Sequence, residues 1–170
     1  MSNRPTIGIL LDYETSGSFS KRPHYALRTA YFDAIWKAGG VPVGIPYIED
    51  AKDAYLDILG GLIVPGGFYD FPPELYGDPA TGEALHPRYA FERQLMADAL
   101  DRDLPTLGIC AGMIMLSNTA DDRVVGKTDQ PLLDIFDIKL ERNSFGRQKE
   151  SFESDVSLDS INIPKFNGVF

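Results

Sequence analysis

The chain has 170 residues, 44% of them apolar, which suits a buried core and is too many for a disordered chain. Its 25 acidic and 16 basic residues leave a net charge of −9, which argues against nucleic acid and anionic membranes as partners. With one cysteine, no apolar run of membrane-spanning length and no cleavage pattern near residue 1, the expected setting is the reducing cytoplasm.

Residues 6–11 (TIGILL) are apolar on both faces and predict a first strand, of the central parallel kind. Residues 12–24 predict a polar loop containing Gly17, Pro23 and a cluster of hydroxyl residues. Residues 25–38 predict a helix with Ala26, Ala30, Ala34 and Ala38 on one side, ended by Gly39-Gly40. Residues 41–45 predict a second strand, and Pro42 puts it at a sheet edge. A short helix over 53–59 leads to a third strand over 61–64, stopped by Pro65-Gly66-Gly67. Residues 68–87 predict a long irregular loop, rich in proline and glycine. A second long helix over 88–101 stops at Pro105, and residues 106–109 predict a short buried strand. A further helix begins at Ala111.

The last third has a different texture. Residues 121–131 predict a polar loop, and 135–141 (IFDIKLE) alternate as a half-buried strand does. Residues 142–154 predict a turn and another strand, with 151–155 a solvated face, and Val169-Phe170 opens a further strand. The alternation of strands and helices predicts an α/β fold: a doubly wound, mostly parallel sheet with helices on both faces, in a single domain over 1–170. Asp12, Pro65-Gly66-Gly67 and Cys110 then gather at one edge of the sheet, where such folds bind ligands.

The chemistry concentrates in Gly108-Ile109-Cys110-Ala111-Gly112, between the predicted strand and helix. This is the cysteine form of the G-x-S-x-G nucleophile elbow. The nucleophile sits on a sharp turn, and a glycine two residues to either side lets strand and helix approach closely. The following helix points N–H groups toward the sulfur, which favours thiolate. The Ala111 N–H is placed to help hold an oxyanion, and Gly66-Gly67 is the natural source of its second half. A lone cysteine is often a small buried apolar residue, and PGG alone is a plain turn. Their pairing across the same sheet edge favours function for both. No metal-ligand cluster, P-loop or G-x-G-x-x-G occurs, so no cofactor or metal is expected. Asp12 superficially suits a receiver domain, without the acidic cluster and downstream lysine such a site needs.

At these residues the chain resembles the class I glutamine amidotransferases and their γ-glutamyl hydrolase relatives, which implies a flavodoxin-like fold. Residues 4–110 resemble the γ-glutamyl-γ-aminobutyrate hydrolase branch, through RPTIGILLD, YFDAIWKAGGVPVGIP, LDILGGLIVPGG, FPPELYGD and AFERQLMADALDRDLPTLGIC. From Cys110 onward, CAGMIML, LLDIFDIKLERNSFGRQKESFESDV and FNGVF resemble the glutaminase subunit of pyridoxal 5′-phosphate synthase. A natural mosaic, a recombined chain and a designed chimera all fit this pattern. The resemblance implies that Cys110 is the nucleophile, that Gly66, Gly67 and Ala111 supply the oxyanion hole and amide contacts, and that Arg142 binds the substrate, where its fork suits a carboxylate.

The family's His-x-Glu motif, which serves the nucleophile, has no counterpart within these 170 residues. Of the two histidines, His24 and His86, neither matches the family base, and both read as surface residues. His24 is the outside candidate. The expectation is hydrolysis of a γ-glutamyl amide through a Cys110 thioester, weak or absent in turnover, with the hydrolase branch favoured for substrate. Two alternatives stay open: a glutaminase subunit that supplies ammonia to a synthase subunit, and a non-catalytic α/β domain. The same resemblance places further strands and a closing helix after this point in the fold. Without them an uncovered apolar face, and with it a homodimer or modest stability, is expected.

Overall fold

The computed structural model describes residues 4–66, 87–124, 126–127, 132–142, 144–145 and 151–169. Of the predicted loop over 68–87, residues 68–86, His86 among them, lie outside these, as does Gly67, and Pro87 begins a helix instead.

Four parallel strands form the central sheet: β1 (Thr6–Leu10), β4 (Val41–Ile45), β5 (Gly61–Val64) and β6 (Thr106–Gly108), in the order β4-β1-β5-β6. Counted along the chain this is 2-1-3-4, the flavodoxin-like arrangement, with its switch point between β1 and β5. Pro42 does fall on an edge strand, where its missing N–H costs no ladder bond.

Alternation along the strands gives the sheet two faces. Leu10, Ile45, Leu62 and Val64 are buried on one face, in a cluster with Leu56 of α2 (Lys52–Ile58) and with Phe91, Leu95 and Met96 of α3 (Pro87–Asp101). Arg102, just past α3, donates to Asp57 at 2.7 Å and to Asp53, which ties the two helices together. The other face carries Ile7 and Ile63 and meets Ile35, the buried residue of α1 (Thr29–Lys37). Helices thus lie on both faces. The α1 face is only partly covered: Ile7, Ile35, Ile63 and Leu107 line an open trough of about 430 Å³, and Leu107 is 54% exposed. Residues 106–109 were expected to be a buried strand. They are not, because β6 is an edge strand and bare on this side.

Other expectations shift for local reasons. The ends of the predicted loop over 12–24 pair as a small hairpin, β2 (Asp12–Glu14) with β3 (His24–Ala26), in register Tyr13↔Tyr25. Residues 25 and 26 are thereby taken into a strand, so α1 starts at Thr29 after an extended Arg28, and Ala30, Ala34 and Ala38 face solvent. A 3-10 turn over Glu49–Ala51 precedes α2. The expected loop at 121 begins as strand instead: β7 (Ser117–Asp122) pairs in parallel with β8 (Phe136–Arg142). In β8, Ile138, Leu140 and Arg142 turn inward while their neighbours face out, the predicted alternation. Val169 ends a strand rather than opening one: β9 (Glu153–Leu158) and β10 (Ile163–Val169) form an antiparallel pair around the 3-10 turn Asp159–Ile161. No helix among the described residues is long and apolar enough to cross a membrane.

Candidate active site

The expected strand-to-helix elbow is present. β6 ends at Gly108, and α4 (Ala111–Leu116) starts immediately after Cys110. Cys110 has φ 55° and ψ −110°, a backbone conformation that L-residues with side chains rarely adopt. Ile109 N–H donates to the Val64 carbonyl at 2.9 Å, and Ile114 N–H to the Cys110 carbonyl at 3.1 Å, which fastens both sides of the turn. The glycines are required by space. A Cβ on Gly108 would lie 2.4 Å from the carbonyl carbon and oxygen of Gly112, and one on Gly112 would lie 2.4 Å from the Val64 carbonyl oxygen. No backbone can yield that much without opening the elbow. The six-residue α4 buries Ala111, Gly112 and Met115, while Cys110 itself is exposed, so its thiol is accessible.

β5 brings its C-terminal end against this turn. A Cβ on Gly66 would lie 2.6 Å from Cys110 Cβ and 3.0 Å from Sγ. Gly66 and Cys110 are therefore in contact across two strand ends, as the sequence led us to expect. The Ala111 N–H is the first of α4, where no intrahelical acceptor exists for it. Gly67 lies outside the described residues.

Arg142 ends β8, paired with Asp122 of β7, and its Nη1 is 3.9 Å from a carboxylate oxygen of Asp122. Asp122 is itself buried, so Arg142 supplies the compensating charge. His24 sits in the β2–β3 hairpin with both ring nitrogens engaged: Nδ1 is 3.0 Å from the Arg22 carbonyl and Nε2 is 3.4 Å from Glu14.

Two charged residues at this edge escaped the sequence reading. Arg88 and Glu92, one turn apart on α3, are both fully buried. Arg88 Nε donates to Glu92 at 2.5 Å, Nη1 to Asp12 at 3.1 Å, and Nη2 to the Pro65 carbonyl at 2.6 Å. Asp12 is thus an ion-pair partner here. A signal existed: Glu92 falls within the buried stripe Phe91, Leu95, Met96, Ala99, and the stripe extended one turn toward the N-terminus meets Arg88. Beside them a row of rings carries the hairpin onto α3, with centroid spacings of 5.5 Å for Tyr13–Tyr25, 5.4 Å for Tyr25–Tyr47 and 5.3 Å for Tyr47–Phe91.

Residues 5–151 match the peptidase C26 family, with its class I glutamine amidotransferase-like character. The chain belongs to the peptidase C26 family. It is 45% identical over 115 residues to pyridoxal 5′-phosphate synthase subunit PdxT of Nitrosopumilus maritimus (strain SCM1), a match that covers 68% of this chain and 51% of that one. The PdxT of Staphylothermus marinus is 40% identical over 119 residues, 70% of this chain and 53% of that one. The PdxT of Saccharolobus islandicus (strain L.S.2.15 / Lassen #1) is 36% identical over 156 residues, 91% of this chain and 68% of that one. This peptidase C26 chain spans about half the length of the first two relatives. A 156-residue match reaches well outside residues 110–170, so the likeness to PdxT is not confined to the part after Cys110.

Proposed function

We propose that this peptidase C26 domain is a glutaminase that cleaves the γ-amide of glutamine through a thioester on Cys110. The observation that carries the reading is the strained Cys110, which stands between two space-restricted glycines and touches Gly66. The sequence alone leaned toward γ-glutamyl-γ-aminobutyrate as substrate. The relatives named as pyridoxal 5′-phosphate synthase subunits favour glutamine instead.

In this reading the Cys110 sulfur attacks the amide carbon, and the carbonyl electrons move onto oxygen. The N–H groups of Ala111 and the Gly66-Gly67 loop hold that oxyanion. The oxyanion collapses, the C–N bond breaks, and the nitrogen leaves as ammonia after taking a proton. Water then cleaves the thioester to release glutamate. Arg142 would hold the α-carboxylate of the substrate and exchange part of its contact with Asp122 for it. Among the described residues the one histidine is His24, whose ring is engaged in its own hairpin. Acylation is therefore the step these residues support best. The ammonia would pass to a synthase subunit, the kind of partner the relatives' names imply.

The test is glutamate release from glutamine and from γ-glutamyl-γ-aminobutyrate, with intact-mass detection of a γ-glutamyl adduct and Cys110→Ala as control. A Cys110-dependent adduct formed preferentially from glutamine supports the proposal. Preference for the aminobutyrate conjugate would return the hydrolase reading. No adduct from either would remove Cys110 from the role of nucleophile.

A further inference from the structure

Arg88 is the most buried charge in the described molecule, and among the described residues it donates to acceptors on three separate chain segments: α3, the start of β2 and the segment just after β5. Stability alone does not account for it. A buried ion pair returns little net free energy, and apolar side chains of the same volume commonly do as well. What a guanidinium supplies is direction, because its N–H groups are fixed in one plane.

One of those directions reaches the peptide that leads into the glycine loop. Arg88 Nη2 donates to the Pro65 carbonyl at 2.6 Å. The Pro65 carbonyl and the Gly66 N–H belong to the same planar trans peptide, so they point in opposite directions. Anchoring the oxygen on Arg88 turns the Gly66 N–H away from α3. Gly66 is also the residue in contact with Cys110 Cβ and Sγ. Glu92 and Asp12 hold the guanidinium from two other sides, and Asp12 opens β2, two residues after β1 ends.

We propose that Arg88 is a positioning residue. Braced by Glu92 and Asp12, it sets the plane of the Pro65–Gly66 peptide, and so aims the backbone N–H that stabilises negative charge developing beside Cys110. The inference rests on the glutaminase reading above and adds to it a buried polar bracket that decides the geometry of the oxyanion site.

The experiment compares two reagents on Cys110. A chloroketone analogue of glutamine is attacked by the thiolate with loss of chloride, and its ketone oxygen uses the oxyanion site. Iodoacetamide alkylates the same sulfur with loss of iodide and reports its accessibility and ionisation. The ratio of their second-order rates is measured for the wild type, Arg88→Lys and Asp12→Asn, with circular dichroism melts alongside. Arg88→Lys keeps the charge but not the fork, and should lower the ratio about 10-fold or more, on the scale of a lost oxyanion donor. Asp12→Asn keeps the shape of a partly exposed group and should lower it by a smaller factor in the same direction. Unfolding would also lower the ratio, because iodoacetamide still alkylates the thiol of an unfolded chain, so the ratio is read only in variants whose melts show them folded at the assay temperature. Should Arg88→Lys fail to fold, Asp12→Asn decides. An unchanged ratio in whichever folded variant is measured overturns the proposal. A wild-type protein with no preference for the glutamine analogue overturns the glutaminase reading, and the Arg88 inference with it. A wild-type preference that survives the substitutions overturns the inference alone.

Discussion

Gly66→Ala separates reactivity from folding at this site. The new Cβ would lie 2.6 Å from Cys110 Cβ and 3.0 Å from its sulfur, whereas ordinary contact begins at 3.4 Å. Relief therefore requires a relative shift approaching 1 Å between the glycine loop and the cysteine. A misplacement of that size at a reacting centre costs roughly 10²-fold in rate. The obstructing atoms are a side chain at an exposed turn, and overpacking of that kind costs about 1–3 kcal/mol. For a chain of this size that is a fall of roughly 2–12 °C in Tm. The assay is the rate of Cys110 labelling by the glutamine chloroketone, followed by intact mass, with a thermal melt on the same sample. Gly108→Ala is the contrasting variant. Its Cβ would meet backbone atoms of Gly112 at 2.4 Å, so it should unfold the elbow and cost more stability than Gly66→Ala. Wild-type labelling by Gly66→Ala would falsify the claim that this contact shapes the reactive site.

Cys110→Gly should remove reactivity and yet raise Tm by a few degrees. The strained φ of 55° costs ~1–3 kcal/mol in a non-glycine residue, and glycine returns ~0.5–1 kcal/mol of that as chain entropy. A lower Tm would show that the backbone there is unstrained. Arg142→Lys keeps a cation opposite Asp122 but loses the fork, so half-saturation for the glutamine analogue should rise ~10-fold at little cost in Tm. An unchanged half-saturation concentration would take Arg142 out of the substrate site. Burial, with a smaller contribution from Tyr25, raises the Tyr55 phenol above its usual 10.0. The unfolded chain then loses that proton first, so the contribution is whole below pH 10.0 and declines as pH rises beyond it. Urea midpoints should fall less steeply with alkaline pH in Tyr55→Phe than in the wild type, and equal slopes would contradict this.

Much of the fold was legible because its signals are local. Residues 61–64 read as a strand from a short apolar run bounded by glycine and Pro65, and they form β5. The spacing of Gly108, Cys110 and Gly112 implied a turn too tight for side chains, and each glycine proves to face atoms where a Cβ would sit. The β2–β3 hairpin was hidden for the opposite reason. Its strands are three residues long and polar, and pairing across residues 15–23 decides them, not propensity. The same holds for the end of β7, whose Asp121 and Asp122 read as the start of a loop until β8 lies beside them.

By itself the sequence determined the four strands of the central sheet and the helices between them, the elbow at Cys110 and the sheet edge at which Gly66 would meet it. These follow from periodicity and from the residues a tight turn can hold. Only the tertiary structure decided what the charges do. Arg88 and Glu92 fall on the apolar stripe of α3, but their partners appear only when α3 is laid on the sheet. Their burial, their reach to Asp12 and Pro65, and the pairing of Arg142 with Asp122 all join groups far apart in the chain. Such partners are set by the packing of whole elements, and no local pattern encodes them.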